Sequence, residues 1–161
     1  MTLLVEQIHI KFVPLLRSFP NKNYMLIHNG IIKLDYNPAT DVLVTSMPDV
    51  KQFGLSEVSF CLGLIIESVK NYDIKLLLLD SSKSVVEVED EAYKAVTNKF
   101  ALDLMRTRLK KIARIATENT RREENSAKIA TEIRQELNLE IKYKNFTNEA
   151  EALEWLLATG E

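Results

Sequence analysis

Lys75-Leu-Leu-Leu-Leu-Asp80 is the stretch on which the fold turns. Four leucines follow one another without polar alternation, and polar turn formers (Asn71, Asp73, Ser81, Ser82) bound them within a few residues. A strand with one wet face alternates apolar and polar side chains, whereas a strand covered on both faces reads as a short continuous apolar run. The segment is too short for a helix of ordinary length. It therefore predicts an interior strand with helices on its faces.

The segments on either side change period. From about Leu55 to Tyr72, the apolar residues Val58, Leu62, Ile65, Ile66 and Val69 recur at helical spacing. From Glu89 to about Leu109 a second helix is expected, with Val96, Phe100 and Leu104 on one side. Lys111 to Thr117 (KIARIAT) is the next strand candidate, and Thr120-Arg-Arg-Glu123 has the form of a capping box opening a third helix with Ala127, Ala130, Ile133 and Leu137 on its stripe. Leu139, Ile141 and Tyr143 alternate with Glu140, Lys142 and Lys144, which predicts a half-exposed strand. A closing helix from Asn148 to about Ala158 would turn Ala150, Leu153, Leu156 and Leu157 inward.

Ahead of the first helix, Tyr24 to His28 and Ile31 to Tyr36 flank Asn29-Gly30, a dipeptide suited to a tight primed hairpin turn. Asn37 to Asp41 supplies further turn chemistry, and Val42 to Ser46 makes a third strand. The whole string reads as an α/β fold: a mixed five- or six-stranded sheet, with an N-terminal antiparallel hairpin or meander at one edge, then βαβ units and about four helices. One domain is expected over residues 1–161. Residues 1–22 form an N-terminal extension, whose apolar positions between Leu3 and Leu16 suit an edge strand or a dimer contact.

At 46% hydrophobic and 27% charged, the chain has the composition of a folded domain. Its 21 basic against 23 acidic residues give a net charge of −2, so binding to nucleic acid is not expected. Glu6, His9 and Lys11 interrupt the apolar N-terminal run, no basic leader precedes it, and no spanning segment of roughly 18 apolar residues occurs, so a cytoplasmic protein is expected. A single cysteine excludes an internal disulfide framework.

No catalytic, cofactor or metal site is expected. His9 and His28 are the only histidines, they lie far apart, and Cys61 is the sole thiol. Cys61 sits among apolar neighbours and reads as a packed small side chain. Glycines at 30, 54, 63 and 160 alone cannot write a phosphate loop or a nucleophile elbow. Gly54-Leu55-Ser56 before a helix reads as ordinary capping. Glu87, Glu89, Asp90 and Glu91 gather at a helix start, where negative charge complements the dipole. The basic residues Arg106, Arg108, Lys110, Lys111, Arg114, Arg121 and Arg122 make a candidate surface for an anion or an acidic partner.

The element order, together with Leu76 to Asp80, the Glu89-Asp90-Glu91 helix start and the closing Phe146…Ala152-Leu-Glu-Trp155-Leu156, resembles the STAS-like superfamily. The likeness spans roughly Ile31 to Leu157 and is strongest to the bacterial branch akin to anti-sigma-factor antagonists, which is also similar to CRAL-TRIO lipid-transfer domains. It implies a non-enzymatic regulatory or interaction module that works through protein contacts; a homodimer through the apolar segment of residues 3–16 is compatible with this and with the alternative readings. The alternative is a carrier of a small apolar or anionic ligand; an enzyme of unfamiliar type is a third reading. Signalling members carry a regulatory phosphoserine in a D-S-S-G motif. Asp80-Ser81-Ser82-Lys83 lacks the glycine, but Ser81 and Ser82 stand as the candidate phosphosites, where modification would add about two negative charges.

Overall fold

The computed structural model describes residues 23–47, 49, 54–84 and 89–159. The N-terminal extension of residues 1–22, with His9, lies outside the described residues, as does Glu87. Ten elements follow in the order β1 (Met25–Asn29), β2 (Lys33–Asn37), β3 (Val42–Ser46), α1 (Leu55–Asn71), β4 (Leu76–Asp80), α2 (Asp90–Met105), β5 (Lys111–Ile115), α3 (Thr120–Leu137), β6 (Lys142–Phe146) and α4 (Glu149–Leu157).

The six strands form one mixed sheet in sequence order, β1-β2-β3-β4-β5-β6. β1, β2 and β3 pair antiparallel; β3, β4, β5 and β6 pair parallel, with Ser46 beside Asp80, Asp80 beside Ile115 and Ile115 beside Phe146. The leucine run is thus an interior strand, as its composition predicts. Because the three parallel crossovers all step in one direction, a constant right-handed connection places their helices on one face. The side chains agree: Leu77, Leu79 and Ile112 join Val58, Cys61, Ile65 and Leu104 in one core, while Val42, Leu78, Ala113 and Ile115 meet Ala152 and Leu156 of α4 on the other. With no reversal of strand order, the sheet has no crevice of the doubly-wound type.

Several local expectations shift. The hairpin forms, but not through a two-residue primed turn: Asn29 pairs with Lys33, three residues intervene, and neither Asn29 nor Gly30 takes a positive φ. Ile32 sinks into the core at this point, which delays pairing to Lys33. The Asn37–Asp41 turn is as expected. Asn37 Oδ1 accepts from the Ala39 amide, Asp41 has φ 59°, and its carboxylate accepts from the Lys75 amide and the Tyr36 hydroxyl, tying the turn to the start of β4.

α2 ends at Met105 rather than near Leu109, because the Thr107 hydroxyl donates to the Leu104 carbonyl and accepts from the Leu109 amide. β5 stops at Ile115, since the Thr117 amide is taken by Glu123. The last strand runs from Lys142, not Leu139. Asn138 closes α3 in the left-handed region (φ 52°), and Leu139 and Ile141 pack into the core from the connection. On α3 the inward residues are Ile129 and Ile133, with Ala127 exposed, and on α4 they are Ala152 and Leu156, with Ala150 and Leu157 exposed. Ile133, Leu153 and Leu156 pack inward as the spacing predicts, whereas Ala127, Ala150 and Leu157 of the expected stripes face out.

Candidate functional site

The face covered by α1, α2 and α3 is not fully packed. Between α2, α3 and the sheet lies a cavity of about 170 Å³, walled by apolar side chains that include Val96, Phe100, Leu104, Ile129, Ile133 and Tyr143. Ile129 and Ile133 are buried yet belong to neither continuous core, which is the packing signature of a gap between α3 and the sheet. Three arginines, Arg114, Arg122 and Arg134, also line the cavity, and no carboxylate does among the described residues.

Arg114 belongs to the buried end of this site. Alternation along β5 sends Ile112 and Arg114 to the α1–α3 face, and Arg114 is only 6% exposed. It donates to both carboxylate oxygens of Glu123 at 2.7 and 3.1 Å and to Asn145 Oδ1 at 3.1 Å. Glu123 also accepts from the Thr117 amide and hydroxyl at 3.0 and 2.7 Å. Burial by itself would raise the Glu123 pKa, but the Arg114 and Thr117 hydrogen bonds outweigh it and hold the carboxyl down at about 2. Burial in the cavity wall raises the Tyr143 phenol above its ordinary value.

This geometry corrects the capping box. Glu123 does not reach back to a threonine cap. Asn119 caps α3 by accepting from the Arg122 amide at 3.0 Å, and Glu123 is spent on Arg114 and Thr117. The Arg114–Glu123 pair was not legible in the sequence, because a strand residue and a helix residue nine positions apart meet only through the β5–α3 turn.

The basic run does not stay together as a surface. Lys111 is 7% exposed; its ammonium donates to the carbonyls of Trp155 and Ala158 at the end of α4 and lies 5.0 Å from the Trp155 ring centroid. Arg114 is buried, as described above. Arg108 is exposed and pairs with Asp73 at 2.8 Å, and Arg106, Lys110 and Arg121 are exposed. Arg122, in the first turn of α3, donates to the Ser84 carbonyl, and its Nε is buried without a hydrogen-bond partner.

The two serines diverge. Ser81 is buried at 4% exposure, while Ser82 is exposed and donates through its amide and hydroxyl to Asp80 Oδ1 at 3.0 and 2.6 Å. Of the acidic group, Glu89, Asp90 and Glu91 sit at the start of α2, Glu89 as its N-terminal cap residue. Cys61 is fully buried, and burial pushes its thiol pKa up. No cluster of three or more metal-ligating side chains occurs among the described residues, and no described helix is long and apolar enough to cross a membrane.

No family model, curated protein or solved structure matches this chain.

Proposed function

We propose that this chain is a non-enzymatic, STAS-like binding module whose α1–α3 face takes up a small apolar molecule. The observation that carries this reading is the cavity of about 170 Å³ between α2, α3 and the sheet, with its apolar walls. An engineered apolar cavity of about 150 Å³ admits benzene, so the space suits a ligand of roughly six to eight carbon atoms. At about 0.8 kcal/mol for each buried CH₂, such a ligand would gain about 5 kcal/mol, which corresponds to a dissociation constant near 0.1–0.3 mM. The described groups lining the cavity have no nucleophile–base arrangement: Arg114 is matched by Glu123, and the wall tyrosine Tyr143 has its phenol pKa raised.

Thermal unfolding in the presence of octan-1-ol tests the reading. At ten times the dissociation constant, binding to the folded state adds about 1.4 kcal/mol. For a chain of this size the unfolding midpoint should then rise by about 3–6 °C. Ala130→Leu, which fills the cavity from α3, should abolish the rise. An unchanged midpoint for the native protein across apolar alcohols and arenes of this size would refute the cavity reading.

A docking module for a protein partner is the second reading, and one observation favours it. The outer edge strand β1 (Met-Leu-Ile-His-Asn) has no charged residue and exposes Met25 and Leu26, whereas the opposite edge strand β6 carries Lys142 and Lys144. Lysines discourage edge-to-edge pairing; an edge without them invites it. Sedimentation of the chain alone at micromolar concentration returning only monomer would remove self-pairing as the use of this edge.

A further inference from the structure

The cavity has a chemical polarity that its size does not explain, and the use inferred for it rests on the proposed ligand-binding role. Its described wall contains three arginines and no aspartate or glutamate. The three cations are not equivalent. Arg114 is neutralised by a two-pronged contact with Glu123, and Arg134, toward the other end of α3, is exposed to water. Arg122 is neither. It donates to the Ser84 carbonyl, no described carboxylate lies within ion-pair range of it, and its Nε is buried with its hydrogen-bonding capacity unused. A buried donor left unpaired costs free energy that a bound acceptor returns.

Its position adds to this. A polar cleft between the starts of α2 and α3 adjoins the cavity, and Arg122, Tyr93 and Ser126 line both hollows. Arg122 is the third residue of α3, where the positive end of the helix dipole reinforces its charge instead of offsetting it. The cleft also holds Asp90 and Glu124, together with the exposed cations Arg121 and Lys128. Asp90 is engaged by the Asn125 amide. Among the described residues, the one unused buried donor at the junction, Arg122 Nε, matches a single acceptor oxygen, which a monocarboxylate supplies.

We infer that Arg122 binds the carboxylate of a short apolar acid, with Nε donating to one oxygen and the hydrocarbon part filling the cavity. The ligand class is a monocarboxylate of roughly six to eight carbons, a neutral or cationic amphiphile of the same length being the poorer fit to a wall whose charged side chains, among the described residues, are all arginines. Arg122 is on this account the specificity residue, and the apolar wall supplies affinity common to all chains of that length.

Calorimetric titration of the full chain with octanoate, octan-1-ol and octylamine tests the assignment. Octanoate should bind about tenfold more tightly than octan-1-ol, with octylamine weakest. Arg122→Met should reduce octanoate to the affinity of the alcohol while leaving the alcohol unchanged, and Arg134→Met should preserve the tenfold preference. Arg122→Gln, which keeps a polar group, serves where the methionine variant does not fold. Equal affinities of octanoate and octan-1-ol for the native chain, or a preference that survives loss of Arg122 or disappears with Arg134, would overturn the assignment and leave the cavity reading standing. Failure of all three compounds, the alcohol included, would sink both.

Discussion

The two faces of the sheet are built from side chains of different size, and to different tolerances. On the α4 face, Ala113 of β5 and Ala152 of α4 are both fully buried, so helix and sheet approach closely around Leu78 and Leu156. The cation there, Lys111, is consumed in closing the end of α4 through two carbonyls and the Trp155 ring. On the α1–α3 face, large side chains hold the helices off the sheet, and the space left between α2 and α3 is a cavity bordered by arginines. The difference teaches that close packing follows from small residues at the contact, and that a face built of large ones leaves room wherever their shapes do not interlock.

The sharpest way to break this comparison is at the ion pair beneath the cavity. Glu123→Gln leaves the Arg114 guanidinium buried without its counter-charge, and the expected loss is about 3 kcal/mol in denaturant unfolding. The pH dependence has a definite sign. The Glu123 carboxyl sits at about 2 in the folded chain against an ordinary 4.5, so its contribution is complete above the ordinary value. It is lost as pH falls from 4.5 towards 2, because the unfolded chain takes up that proton first. In the glutamine variant this part of the acid-unfolding profile should flatten; an unchanged profile would show that the pair is not what holds the β5–α3 connection.

Next in size is one substitution made on both faces. Ala152→Leu inserts three carbons where Ala152 is fully buried against the sheet and should cost about 2 kcal/mol. Ala130→Leu inserts the same group into the cavity wall and should be neutral or stabilising by up to about 1 kcal/mol. Paired urea titrations check both. Equal losses at the two alanines would erase the contrast between the faces.

How much of this was visible beforehand depends on the range over which each feature is encoded. The interior position of β4 follows from its own four leucines, and α1 follows from the spacing of Val58, Leu62, Ile65, Ile66 and Val69, every one of which is buried. On α3 and α4, Ile133 and Leu156 face inward as their spacing predicts while Ala127 and Ala150 face out, since a methyl group suits either side of a helix. The last strand was displaced by three residues because Leu139 and Ile141 alternate as a strand would, although they pack as a connection. Among the candidate site residues, the seven basic positions read as one patch and dispersed into several roles.

Local pattern alone determined the α/β class, the antiparallel opening, the parallel remainder and the lack of metal-ligand or phosphate-loop spacing, because each is written in neighbouring residues through periodicity and turn chemistry. Only the tertiary structure decided which face each helix covers, that Arg114 finds Glu123 while Arg122 finds no carboxylate among the described residues, and that a cavity separates α3 from the sheet. Those outcomes depend on volumes and charges brought together from distant parts of the chain, and no window of sequence contains the distance between them.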